Sequence, residues 1–426
     1  MKKTIKNAAL PLLLALCLVI ILSGCAADDI PLNGRGSDST VTELTECTIT
    51  TGGTYSASGL FTETITIDAG TSNVTLILNG ATVTSDSGSA IFVKSAGSVN
   101  IQLAGGTVNT LTDGKTYNLK LDGTTPDACI FSKADLKIEG SGTLIVNGNY
   151  KHGIVSKDDL VIDNGTIEIN AVKSGLEGKD HIEINSGNII INAGTDGIRT
   201  TNDEDANKGS ISINGGTVEI SSGDDAVHAE ADLTIKDGAI TIVKSHEGIE
   251  AVNVSISGGT ISVTAEDDGI NATNAGSIVI SSGMLYVDSA GDGIDSNGDI
   301  VISGGTLLIN GSSSGENSSI DHDGSFTVTG GTILAIGTSD MIDGVDSVKD
   351  QVLISAFIAG HAGDKITVTD VSGEEIISIT AERDYGHMFI SDAAMQESNT
   401  YTIIINGTAA ANVKADSSIT TYGKNR

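Results

Sequence analysis

Short runs in which every second residue is apolar recur along most of the chain, each opened by a glycine turn. Gly165-Thr166-Ile167-Glu168-Ile169 returns as Gly187-Asn188-Ile189-Ile190-Ile191, Gly216-Thr217-Val218-Glu219-Ile220 and Gly238-Ala239-Ile240-Thr241-Ile242. It continues as Gly259-Thr260-Ile261-Ser262-Val263 and Gly283-Met284-Leu285-Tyr286-Val287, then at Gly305 and Gly331. Most steps between these glycines are 21 to 24 residues; the step from 187 to 216 is longer. A second unit lies between them, as in Gly248-Ile249-Glu250-Ala251, Gly269-Ile270-Asn271-Ala272 and Gly293-Ile294-Asp295-Ser296. A third precedes the glycine turn, as in Leu233-Thr234-Ile235 and Ile278-Val279-Ile280. Alternation of period two predicts strands, and three short strands per repeat predict a triangular coil.

One such coil cannot bury its inner face. Coils must stack, so that equivalent Ile and Val residues pack in columns and strands of successive coils pair in parallel. The expected fold is therefore all-β, a right-handed parallel β-helix, its hand inferred from other parallel crossovers. Before residue 127 the same theme appears with irregular spacing. After about residue 346 the repeat stops, and 351–418 reads as antiparallel strands at 352–358, 365–370, 375–380, 387–390 and 401–405. A small C-terminal antiparallel β cap covering the open end of the solenoid is expected, because a bare sheet edge needs cover. The boundaries read as 1–24 for a leader, 25–40 for a tether, 41–346 for the solenoid and 347–426 for the cap.

Composition adds location and partner class. The chain carries 23 Lys and Arg against 55 Asp and Glu, a formal net charge of −32. That charge repels nucleic acid and anionic membrane surfaces and favours cations. The start has Lys2, Lys3 and Lys6 ahead of an apolar run at 8–22, and ends in Leu22-Ser23-Gly24-Cys25. This order resembles a bacterial lipoprotein signal, which implies cleavage before Cys25, lipidation of Cys25 and a site on the outer face of the cytoplasmic membrane. Membrane contact is expected through that lipid only. Cys47 and Cys129 sit in strand-like runs and read as small apolar side chains, with a disulfide left open.

The acids carry the candidate chemistry. Asp196, Asp224, Asp225, Glu247, Asp267, Asp268 and Asp292 stand just before the second unit; Arg199, His228, Glu250, Asn271, Asp295 and Asp321 stand at its outward position. Being one repeat apart, successive members are expected to be vertical neighbours at one corner and on one face. Two carboxylates about 5 Å apart repel by roughly 3 kcal/mol at an effective dielectric near 20. Raised pKa values, interleaved cations or a bound metal must offset this. Oxygen ligands suit Ca²⁺, so the expected metal ligands are Asp196, Asp224, Asp225, Glu247, Asp267, Asp268, Asp292, Asp295 and Asp321. Asp203 joins them from the inserted run Asn202-Asp203-Glu204-Asp205. The alternative is a set of solvated turn residues. Arg199, His228, Glu250, Asn271 and Asp295 are the expected carbohydrate contacts. Arg199 either bridges a neighbouring acid or clamps a uronate carboxylate, and His228 and His246 read as neutral surface groups.

The runs Leu78-Asn79-Gly80-Ala81, Ala90-Ile91 and 106–114, with the Gly-Thr and Asp-Gly-Ile units, resemble the carbohydrate-binding β-helix proteins of cellulolytic clostridia, distantly like pectate lyases in fold. The resemblance implies Ca²⁺ among the coils and binding of cellulose and of acidic plant polysaccharide such as polygalacturonate, without established cleavage. Here there is no Trp and only 3% aromatic residues, so no stacking platform for flat cellulose is evident. The function expected is non-catalytic, Ca²⁺-dependent polysaccharide binding. A pectate-type lyase with Arg199 or Lys179 as base, and an adhesin or spacer without a glycan site, are the alternatives.

Overall fold

Equivalent apolar positions of successive repeats stand directly above one another in three vertical sheets. On one face the register runs Leu160, Ile182, Ile211, Leu233, Val254, Ile278 and Ile300. On the next it runs Ile167, Ile189, Val218, Ile240, Ile261, Leu285 and Leu307. On the third it runs Ile154, Leu176, Ile198, Val227, Ile249, Ile270, Ile294 and Ile320. All of these side chains are buried. The result, in a computed structural model describing residues 40–117, 125–205, 207–313 and 315–423, is a parallel β-solenoid of about 12 turns. Among the described residues every regular element is a strand. The leader, Cys25 and the tether lie outside them, except Thr40. Cys47 and Cys129 are free thiols, the latter buried.

Two glycine positions shape the coil. At the corner before the second face, Gly216, Gly238, Gly259, Gly283, Gly305 and Gly331 all have φ between +84° and +112°, a region that side chains with a Cβ disfavour. A Cβ on Gly259 would also sit 2.9 Å from the Gly238 carbonyl oxygen. Gly259→Ala is expected to cost about 1–3 kcal/mol, measured as a lowered urea midpoint; an unchanged midpoint would show that the corner relaxes. At the start of the third face the need is close approach. A Cβ on Gly269 would lie 2.6 Å from the Gly293 carbonyl oxygen and 2.3 Å from Val287 Cγ1. This tight stacking also brings the acid before each such residue against its counterpart in the next coil.

The C-terminal end carries the expected antiparallel β cap, and part of it continues the solenoid sheet. A four-stranded antiparallel sheet is present, in the order Glu375–Thr380, Lys365–Thr369, Thr400–Ile405 and Thr408–Lys414. Three other strands extend the solenoid sheet itself. His387–Asp392 pairs antiparallel with the last long rung, Phe326–Gly337, and with Val352–Ala356, which pairs in parallel with Ile419–Tyr422. Leu334 and Ile336 of that rung pack in one core with Ile354, Ile366, Met388 and Tyr401. The last coil thus gains both ladder partners and apolar cover, which an edge strand needs.

Candidate functional site

The corner before the third face is a ladder of acidic residues. The Gly175 N–H donates to the Asp196 carbonyl at 3.0 Å, Gly197 to Asp225 at 2.9 Å and Ala226 to Glu247 at 3.0 Å. Gly248 donates to Asp268 and Gly269 to Asp292, each at 2.9 Å, and Gly293 to Ser318 at 3.2 Å. Asp196, Asp225, Glu247, Asp268 and Asp292 therefore occupy one position in five successive coils. One residue earlier, backbone bonds link Thr195, Asp224, His246 and Asp267 in the opposite direction, each N–H donating to the carbonyl of the preceding coil. On the adjoining face, strand register aligns Arg199, His228, Glu250, Asn271, Asp295 and Asp321 in a continuous outward column. Residues one repeat apart in sequence are thus brought together by strand register.

Asp203 is not brought to that corner. It follows the strand Ile198–Thr200, whereas Asp196 precedes it, and it lines a separate hollow with Lys208, Glu230 and Asp232. Lys179 is exposed and likewise follows its third-face strand, Leu176–Gly178.

Asp196 and Asp225 each meet the outward residue three positions on, whereas Asn271 reaches an acid of the neighbouring coil. Arg199 Nη1 donates to Asp196 Oδ2 at 2.9 Å. His228 Nδ1 lies 2.8 Å from Asp225 Oδ2 and 3.5 Å from Glu250 Oε1. This hydrogen bond with Asp225 raises the His228 pKa despite partial burial. His228 is therefore half-buried and hydrogen-bonded to Asp225, not the free surface residue expected. Asn271 Nδ2 donates to Glu247 Oε2 at 3.2 Å.

Below His228 the column loses its cations. Among the described residues, no lysine or arginine forms an ion pair with Glu247, Glu250, Asp267, Asp268, Asp292, Asp295 or Asp321. Burial first, and then the carboxylate of Glu247, push Glu250 up to about 8. Burial and Asp267 push Asp268 up to about 6, against the Asp292 N–H that its carboxylate accepts at 2.7 Å. Asp292 goes up to about 8 through burial and Asp268, although it accepts from the Ser318 N–H. Asp295 goes up to about 7 through burial, Asp268 and Asp321, and Asp321 to about 6 through burial and Asp343. Asp224 is raised by burial and Asp225.

This donor set fits a hard divalent cation. Asn271 Oδ1 is buried among these carboxylates and accepts no hydrogen bond, an unsatisfied oxygen that a cation would satisfy. Asp225, His228 and Glu250 each offer a ligand atom within 4.8 Å of the others, as do His246, Glu247 and Asp267. The oxygen-rich coils from Glu247 to Asp321 are the better match to Ca²⁺. Asp196 offers less, because Arg199 already answers its charge.

The outward column also begins earlier than the spacing suggested. Glu177 stands directly above Arg199 in register, is buried, and pairs with Lys157 Nζ at 2.9 Å. The run Gly175-Leu176-Glu177-Gly178 repeats the pattern of Gly248-Ile249-Glu250-Ala251 and could have signalled it. Above Glu177 the column turns apolar through Val155, Phe131 and Phe92, a buried cluster. An aromatic pair also appears that no local motif announced: Tyr117 and Tyr150 stack with ring centroids 4.6 Å apart.

A family model described as carbohydrate-binding domain-containing protein matches residues 43–283, more than half of the chain. The chain belongs to that family. Within it, a carbohydrate-binding domain-containing protein of Acetivibrio thermocellus is 46% identical over 46 residues, 11% of this chain and 16% of the relative. The match thus spans about a sixth of that relative's length. A solved structure described as a polysaccharide lyase-like protein from C. thermocellum, a gadolinium derivative, aligns with 54% of this chain and 89% of its own. It is 32% identical, with a TM-score of 0.43.

Proposed function

We propose that this chain is a non-catalytic, Ca²⁺-dependent binder of acidic polysaccharide, such as polygalacturonate, held on the bacterial surface by a lipid on Cys25. Membership of a carbohydrate-binding family supports the polysaccharide class. The observation that carries the rest is the run of half-buried carboxylates from Glu247 to Asp321, which has no lysine or arginine partner among the described residues and encloses an unsatisfied Asn271 oxygen. Glu247, Glu250, Asp268, Asp292, Asp295, Asp321 and Asn271 Oδ1 would hold calcium between adjacent coils, each ion drawing ligands from two neighbouring rungs. Bound there, calcium supplies the positive charge through which a uronate carboxylate can approach a chain of net charge −32. Arg199, one coil above His228, adds a guanidinium beside the same column.

Polygalacturonate retardation in affinity electrophoresis tests this. Retardation is expected with calcium and should vanish in chelator; chelator-insensitive binding would overturn the proposal. The lyase reading needs a neutral base beside the metal. Arg199 is tied to Asp196 and lies in the field of Glu177 and Glu230, which favours its protonated form. No rise in absorbance from unsaturated uronate is expected with calcium at alkaline pH, and a steady rise would establish cleavage. A Cys25→Ser chain is expected to leave the membrane fraction for the medium.

A further inference from the structure

The upper end of the acidic column differs in chemistry from the run below it, because there two carboxylates close on an imidazole. Asp225 and His228 come from one coil, and Glu250 lies directly below His228 in the next. A single nitrogen, His228 Nδ1, lies 2.8 Å from Asp225 Oδ2 and 3.5 Å from Glu250 Oε1. One ligand atom of each residue lies within 4.8 Å of the other two. Asp225 is buried, and the other two side chains are half-buried. The far side of the ring also faces a carboxylate, with Nε2 3.7 Å from Glu230 Oε1.

We propose that Asp225, His228 and Glu250 form a site for one divalent transition ion of the zinc class, distinct from the calcium run. Three features of the trio select that ion. Imidazole nitrogen suits zinc, whereas calcium takes oxygen ligands. Zinc bonds of about 2.0–2.1 Å in tetrahedral geometry set neighbouring ligand atoms about 3.3 Å apart. The His228–Glu250 separation of 3.5 Å already matches, and the hydrogen-bonded Asp225 oxygen has to withdraw by only about 0.5 Å. Glu230 stands on the side where a metal-bound histidine directs its second nitrogen; by accepting the Nε2 proton it fixes the tautomer whose Nδ1 lone pair faces Asp225 and Glu250. The charges agree as well, because two carboxylates neutralise a divalent ion, and an imidazolium offsets only one of them. His228 is partly exposed, so water reaches the fourth position. A carboxylate has two oxygens, so Glu250 can bridge this ion and a calcium one coil below, where it aligns with Asn271. His246, Glu247 and Asp267 also converge, but His246 is exposed, and the His228 trio is the better enclosed.

Zinc titration of the metal-stripped full chain, in saturating calcium and followed by calorimetry, tests the assignment. A single zinc should bind each chain at micromolar concentration or below and raise its melting temperature. D225N and H228A should each lose at least about tenfold in affinity, or about 1.4 kcal/mol, whereas H246A should bind as the parent does. A melt before zinc is added verifies the fold of each variant. Cobalt in place of zinc should give the visible bands of a tetrahedral site in the parent and not in H228A. A parent chain that takes up no zinc would overturn the proposal, as would equal affinity in parent, D225N and H228A, displacement of zinc by calcium, or loss of zinc in H246A. The calcium reading is measured separately: D292N/D295N should keep zinc, and H228A should keep the rise in melting temperature that calcium brings. Loss of zinc from folded D292N/D295N would overturn the claim of a separate site.

Discussion

In chelator, the double variant D292N/D295N should melt several degrees above the parent chain, and calcium should no longer raise its melting temperature. Asp292 is only 6% exposed, yet it faces Asp268, Asp295 and Asp321 with no lysine or arginine paired to it. Asparagine keeps the oxygen that accepts the Ser318 N–H and removes the charge. A raised pKa measures how strongly the fold disfavours the charged form, at about 1.4 kcal/mol per unit. The values of about 8 for Asp292 and about 7 for Asp295 set an upper bound, because the two titrate together and the surroundings relax. A gain on the order of 2–4 kcal/mol at pH 8 is expected. For the parent, calcium at a hundred times its dissociation constant should add about 2.7 kcal/mol. Calorimetry of both chains, with and without calcium, gives all four values. Destabilisation of the variant in chelator, or equal gains from calcium in both chains, would refute the assignment.

The second large effect is on pH. Metal-free parent chain should be more stable at pH 5 than at pH 8, the reverse of the usual behaviour of paired carboxylates. Glu250, Asp268, Asp292, Asp295 and Asp321 have folded pKa values of about 6 to 8, against roughly 4 in an unfolded chain. Between those limits the folded state binds more protons than the unfolded state, so stability falls as pH rises. The contribution is complete below pH ~4, declines as pH rises from there, and is gone above the folded values of about 6 to 8. His228, raised by its bond with Asp225, acts in the same direction. Asp163, held low by Lys137, opposes it only in more acid solution, where that carboxylate takes up its proton. Urea unfolding in chelator at pH 5, 6.5 and 8 checks the slope, which D292N/D295N should flatten. Calcium should restore stability most at pH 8, where its ligands are free of protons. A parent chain most stable at pH 8 in chelator would contradict the burial of these groups.

Much of the site was legible before any coordinates. A period of two leaves only two orientations for a side chain, and repeats of nearly constant length must stack. Glu250, Asn271 and Asp295 could therefore be assigned to one outward column and Asp225, Glu247 and Asp268 to one corner. Glu177 escaped because its unit follows a Ser174-Gly175 turn instead of an acid-glycine turn. Asp203 was misplaced beside Asp196 because closeness in sequence says little when a strand separates the two residues. The His228 pairing was hidden because it depends on how Asp225 and Glu250 close around the ring.

The order of apolar, polar and glycine positions determined the coil, its strands and the columns, since alternation and repeat length are local properties of the chain. Tertiary structure alone decided which carboxylates lack a cation, which close on the His228 ring, and how Val352–Ala356, His387–Asp392 and Ile419–Tyr422 join the solenoid sheet. Those outcomes depend on burial and on contacts between residues distant in sequence, and desolvation and pairing set the energy of a charge far more than its identity does.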